Sequence, residues 1–262
     1  MRMADLGDLR LHYHLDGDDA GAPLVLIHAL GTDLRLWDKL VPLLPAGLRI
    51  LRFSLRGHGL SDAPPAPYSM GALVRDAERL MDHLQMKDAV VVGLSIGGMI
   101  AQGLAVKRLD LVRGLVLSNT AAKIGTAAIW QDRIAQIGAG GIESVADATM
   151  ERWFAPAFRA TPEARAWRNM VTRTTLDGYL GCCAAISGTD FYTPTSGLRL
   201  PVLGIAGSAD GSTPPDLVRE TTELVPGSRF ALIRDAGHLA CVDQPQAYAE
   251  CLTSFLRDIG HC

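Results

Sequence analysis

The chain has 262 residues, of which 48% are hydrophobic and 20% charged, with a formal net charge of −3. That length and apolar content suit one compact domain, or a large domain carrying an insert, and exclude intrinsically disordered and fibrous classes. With 25 Lys and Arg against 28 Asp and Glu and no basic run, there is no electrostatic footprint for nucleic acid or an anionic membrane surface.

In chain order, Met1 to Asp8 lacks the apolar core of a secretory leader. Short apolar runs then predict strands at Leu9 to Leu15, Leu24 to Ile27, Ile50 to Phe53, Ala89 to Val92, Leu115 to Leu117, Val202 to Ala206 and Phe230 to Ile233. The later runs are continuous rather than alternating, as in strands covered on both faces. Between them lie helical patterns. The clearest follows Ser69, a good N-cap, and carries Leu73, Ala77, Leu80, Met81 and Leu84 on one stripe. Others run over Gly97 to Lys107, Asp216 to Leu224 and Gln246 to Arg257. Alternating strand and helix predicts an α/β fold with a mostly parallel central sheet and helices on both faces.

Ala89 to Val106 is uncharged and near the lower length limit for a membrane span. Four glycines, Ser95 and Gln102 interrupt it, so it reads as a buried strand, a tight turn and a buried helix. Five cysteines make an odd count without framework or metal-ligand spacing, and the expected setting is reduced and cytoplasmic. Cys182, Cys183 and Cys241 are expected to act as small apolar groups. The alternation stops between residues 121 and 195, where three of the four tryptophans fall and no run resembles a strand. Residues 1–120 and 196–262 are therefore expected to form the core, and 121–195 a helical cap.

The sharpest chemical signal is Gly93-Leu94-Ser95-Ile96-Gly97, preceded by a valine-rich strand and followed by a helical pattern. That is the context of a nucleophile elbow, where small neighbours let strand and helix pass closely and the serine hydroxyl projects from the turn. A serine needs a base, and the base an orienting carboxylate. Asp210 follows the strand ending at Ala206, and His238 follows the strand ending at Ile233. Both are therefore expected at the carboxyl edge of the sheet, with Ser95. Asp235 and Asp243 are rival acids. Taken singly, Asp210 could be a turn-stabilising residue and His238 a surface histidine; the joint placement argues for the triad Ser95, Asp210 and His238. The backbone N–H groups of Ile96, after the nucleophile, and Leu30, in the loop after Ile27, are the candidate oxyanion donors. His28 is expected to shape that loop. No metal ligand set is apparent, and the chemistry calls for no cofactor.

These residues together resemble the α/β-hydrolase fold family over the whole chain. Within that family the resemblance is greatest to the 3-oxoadipate enol-lactone hydrolases. It is carried by His28-Ala29-Leu30-Gly31-Thr32 with Trp37-Asp38, and by Leu94-Ser95-Ile96-Gly97-Gly98-Met99. In the cap it is carried by Gly125-Thr126, Ile129-Trp130, Arg133-Ile134 and Glu151-Arg152-Trp153-Phe154, and beyond it by the Asp210 and His238 segments with Gln244-Pro245. It implies a serine-nucleophile hydrolase that opens a small lactone carrying a carboxylate to 3-oxoadipate, in bacterial protocatechuate and catechol catabolism. Another carboxylic-ester hydrolase, a carbon–carbon bond hydrolase, a cofactor-free haloperoxidase-like enzyme and a ligand receptor remain alternatives. A substrate carboxylate would need a cation. Trp130 and Arg133, three apart on one helical face, are the candidate substrate-binding residues. One departure is Ser54, where many relatives carry an aspartate; its expected effect is on loop rigidity.

Overall fold

A computed structural model describes all residues, 1–262. Its eight strands are β1 (Arg2–Asp5), β2 (Arg10–Gly17), β3 (Ala22–Ile27), β4 (Leu48–Phe53), β5 (Ala89–Leu94), β6 (Val112–Ser118), β7 (Val202–Gly207) and β8 (Arg229–Ile233). They form one sheet in the order β1-β2-β4-β3-β5-β6-β7-β8. From β4 to β8 every pairing is parallel, while β1 with β2 and β2 with β4 are antiparallel. Each residue of β5 and β7 is buried. Because successive side chains point to opposite faces, this requires cover on both sides of the sheet centre. Burying a Val, Leu or Ile there contributes roughly 1.5–3 kcal/mol before entropy is counted.

The predicted strands are all present, and the structure adds β1. This short edge strand, Arg2-Met3-Ala4-Asp5, buries only Ala4. It has no apolar run to announce it and exists by pairing with β2 through Arg2 to Asp5.

The helices follow their patterns closely. In α1 (Met70–His83) the Ser69 side chain accepts from Ala72 N–H, and Leu73, Ala77, Leu80 and Met81 are buried. Leu84 lies just past its end, where Gln85 takes a φ of 55°. The uncharged stretch is β5, a turn at Ser95 and α2 (Ile96–Lys107). No helix is long and apolar enough to cross a membrane. Between β6 and β7 there is no strand. Instead come α3 (Ala127–Gly140), α4 (Glu143–Trp153), α5 (Pro156–Arg159), α6 (Pro162–Thr172), α7 (Leu176–Ser187) and α8 (Tyr192–Ser196). Beyond them are α9 (Pro215–Glu223), α10 (Ala240–Asp243) and α11 (Pro245–Asp258).

The topology places the site. Strands β3, β5, β6, β7 and β8 lie side by side and parallel, so the loops after all five emerge at one edge. Those loops begin at His28, Ser95, Asn119, Ser208 and Arg234. In a parallel sheet this is the edge where ligands bind.

Candidate active site

Ser95 sits between β5 and α2 with φ 59° and ψ −119°, a conformation strained for any residue with a side chain. Two glycines make this turn possible. A Cβ on Gly93 would collide with the backbone of Gly97, and one on Gly97 with the backbone of Ile27. Two hydrogen bonds from β6 and its following loop hold the turn. Ser95 N–H donates to Ser118 O at 3.0 Å, and Thr120 Oγ1 donates to Ser95 O at 2.6 Å. Ser95 is the one residue between Ala89 and Ala105 that is not fully buried, so the elbow presents its side chain alone.

Asp210 and His238 meet: Nδ1 of His238 lies 2.9 Å from Asp210 Oδ2. Nδ1–H therefore donates to the carboxylate, and Nε2 is left with the free lone pair. Four further donors reach this carboxylate. Ser212 N–H (2.7 Å) and Thr213 N–H (3.0 Å) donate to Oδ1, while Asn119 Nδ2 (2.9 Å) and Thr213 Oγ1 (2.8 Å) donate to Oδ2. Burial pushes the Asp210 carboxyl up, but His238 and these donors more than offset it and hold the group below the usual carboxylate range. Asn119 also donates to Gly237 O at 3.3 Å, tying the acid loop to the loop that carries His238. Contacts thus run without a gap from Ser95 through Ser118 and Asn119 to Asp210 and His238.

The rival acids sit elsewhere. Asp235 is exposed. Asp243 Oδ2 accepts from Gly237 N–H at 2.6 Å, and burial pushes its carboxyl up to about 6.

The loop after β3 is held by two buried histidines. Leu55 N–H donates to His28 Nε2 (2.8 Å), and His28 Nδ1 faces Ala29 O (2.8 Å). Gly31 N–H donates to His58 Nε2 (3.0 Å), and His58 Nδ1 faces Arg56 O (3.0 Å). Each ring accepts at Nε2 and donates from Nδ1, so both are neutral. Burial, and for His28 also the neighbouring His58, pushes them down to about 3 and about 4 respectively. Between these anchors, Leu30 N–H donates to no acceptor in the protein, and neither does Ile96 N–H at the start of α2. Both backbone donors are thus available to a ligand.

In α3, Trp130 Nε1 donates to Ile124 O (2.6 Å), and the Arg133 guanidinium lies 6.0 Å from the Trp130 ring centroid. Arg133 donates to Thr149 Oγ1 (2.9 Å) and Tyr179 OH (2.6 Å). The side chains that sequence reasoning missed are Asn119, Thr213, His58, Thr149 and Tyr179. Apart from the Thr213 bonds to Asp210, the bonds that bring them to the site span 16 to 118 residues, which leaves no local signal. Ser54 Oγ is buried without a hydrogen-bond partner, while its carbonyl accepts from Ser61 Oγ at 2.7 Å. All five cysteines are free, and Cys182, Cys183 and Cys241 are buried.

A family model described as "Alpha/beta hydrolase family" matches residues 24–251, and the chain belongs to that family. Among curated proteins it is 30% identical over 252 residues to 3-oxoadipate enol-lactonase 2 of Acinetobacter baylyi, covering 95% of this chain and 94% of that protein. It is 25% identical to a pimeloyl-[acyl-carrier protein] methyl ester esterase of Vibrio vulnificus, over 94% and 97% of the two chains. Among solved structures, the enol-lactonase from Burkholderia xenovorans superposes with a TM-score of 0.94 at 32% identity, covering 98% of this chain and all of that one.

Proposed function

We propose that this hydrolase is a serine-nucleophile lactonase that opens 3-oxoadipate enol-lactone, a ring ester carrying a carboxylate, to 3-oxoadipate. The observation that carries the reading is the five-donor cradle of Asp210 with His238 on the same sheet edge as the strained Ser95 turn. It is supported by similarity to enol-lactonases along nearly the whole chain.

Ser95 Oγ attacks the ring carbonyl while His238 Nε2 takes its proton, and Asp210 stabilises the imidazolium that forms. The N–H groups of Leu30 and Ile96 receive the developing oxyanion, and no rearrangement is needed because neither is engaged. Collapse breaks the ring C–O bond. The leaving oxygen departs as an enol, protonated by His238, and then ketonises. Water, deprotonated by His238, next attacks the acyl group on Ser95 and releases the acid. Trp130 packs against the substrate, and Arg133 receives its carboxylate. Residues 1–120 and 196–262 act as the catalytic core and 121–195 as the cap that selects the substrate.

A direct kinetic comparison of the enol-lactone, isomeric muconolactones and neutral aryl esters tests the assignment. The expected result is a kcat/KM for the enol-lactone at least about 100-fold above neutral esters, the effect of a buried charge-assisted contact plus ring fit. Equal or better turnover of neutral esters would move the assignment to a general carboxylic-ester hydrolase, the reading that similarity to the methyl ester esterase favours.

A further inference from the structure

Arg152, at the end of α4, is half-buried and reaches toward the same oxygen as Arg133. Its guanidinium donates to Thr149 Oγ1 at 3.3 Å, and Arg133 donates to that atom at 2.9 Å. Two guanidiniums therefore converge on one neutral hydroxyl, and neither has a carboxylate partner. Arg52 and Arg56, of similar low exposure, have acids: Arg52 pairs with Asp16 and Asp38, and Arg56 with Asp76 through two bonds of 2.6 Å. Arg49 also lacks an acid, but it stands alone, donating to Leu84 O at 3.1 Å, with no second arginine on its acceptor. Burial and the charge of Arg133 both push the Arg152 guanidinium down. Arg133 Nε is itself buried without an acceptor. Two cations sharing one acceptor, half withdrawn from water and without an acid, are costly unless an anion joins them.

The pair is bolted to the reactive edge. Arg152 O accepts from Gly211 N–H (3.1 Å), next to Asp210, and Trp153 O accepts from Leu239 N–H (3.3 Å), next to His238. Tyr179, whose OH accepts from Arg133, sets its ring against Gly31, where an added Cβ would stand 3.0 Å from it. The end of α4 that carries Arg152 thus touches the acid and base loops, and Tyr179 connects the Arg133 guanidinium to the oxyanion loop.

We propose that Arg152 and Arg133 together form a two-guanidinium site for the carboxylate of the substrate, with Arg152 as a specificity-determining residue. A planar carboxylate has two oxygens and about four lone-pair positions, enough to accept from both forks at once. Thr149 Oγ1 holds the two forks in register, because it accepts from both. Selectivity for acid-bearing over neutral esters then comes from this pair, while bond cleavage stays with Ser95 and His238. The inference deepens the lactonase reading, on which it rests for the identity of the reacting bond.

The test measures inhibition of phenyl acetate turnover by pentanoate and by pentanamide, which have similar shape and differ in charge. The wild type is expected to prefer the acid by about tenfold or more. Arg152→Gln is expected to cut that preference about tenfold. Arg152→Lys keeps the stem and the charge and is the gentler change for folding; it is expected to cut the preference about threefold, because an ammonium replaces the planar fork. An unaltered preference in either variant would overturn the proposal. Both numbers are ratios within one variant, so a general loss of turnover cancels. Neither uses the lactone. An intact acid preference without lactone turnover would sink the lactonase reading alone, and lactone turnover without an acid preference would sink the arginine site alone.

Discussion

The sheet edge and the inserted helices handle charge in opposite ways. At the edge, the buried carboxylate of Asp210 accepts five hydrogen bonds, and the buried histidines His28 and His58 are each held on both ring nitrogens. In the inserted helices, Arg133 and Arg152 lean on a threonine and a tyrosine and have no acid. A fully satisfied polar network is rigid and holds reacting groups in place. A set of donors left short of acceptors is where binding energy is available to a ligand. Under the proposed function, this difference separates the parts of the molecule that position chemistry from the part that selects what undergoes it.

The sharpest way to break this contrast is to delete a reacting group. Ser95→Ala or His238→Ala is expected to lower kcat by on the order of 10³-fold or more, while circular dichroism and melting stay close to wild type. A Ser95→Ala variant with near-normal hydrolysis would remove the sheet edge from the mechanism altogether.

A second test lowers the pH. An ordinary histidine titrates near 6.5, whereas His28 and His58 are held at about 3 and about 4 in the fold. Below 6.5 the unfolded chain binds protons that the native state refuses, so stability falls as the pH drops. The expected slope is up to about 1.4 kcal/mol per pH unit for each histidine between 6.5 and about 4. Urea melts at pH 7, 6 and 5 measure it. His58→Gln should flatten the slope by one histidine's share, and a slope equal to that of wild type would show that His58 is not held neutral.

Asn119→Ala sharpens the comparison within the edge. It removes one of the five donors to Asp210 and the tie to Gly237 O. The expected cost is about tenfold in kcat/KM, equivalent to about 1.4 kcal/mol, with most of it in kcat because the donor positions Asp210 and the His238 loop. A change confined to KM would contradict that role.

The smallest expected effect is at Ser54, the one serine at the edge whose buried hydroxyl has no partner. Ser54→Ala removes an unsatisfied polar group, so stability should hold or rise by up to about 1 kcal/mol in denaturant melts. A loss of more than that would mean that the hydroxyl contributes a bond in solution.

Much of the fold and part of the site were legible in the residues alone, and the reason is local. The elbow is written in five consecutive residues, since a turn this tight tolerates only glycine at Gly93 and Gly97. The strands ending at Ala206 and Ile233 in the sequence reading put Asp210 and His238 in the loops where they lie, because a continuous apolar run followed by polar turn residues marks a strand end. Ser69 starts α1 through its own side chain. What only the tertiary structure decided is which distant groups meet. Asn119 reaches Asp210 because β6 and β7 are neighbours in the sheet, a pairing no pattern in Ser118-Asn119-Thr120 encodes. β1 exists only through its partner β2. Arg152 figured in the sequence only within Glu151-Arg152-Trp153-Phe154; the packing of α3, α4 and α7 puts it beside Arg133, Thr149 and Tyr179 with no carboxylate among its hydrogen-bond partners. Local sequence sets backbone conformation within a few residues. Long-range packing sets which side chains share a dielectric, and in this protein that decides which charges find a counter-charge and which do not.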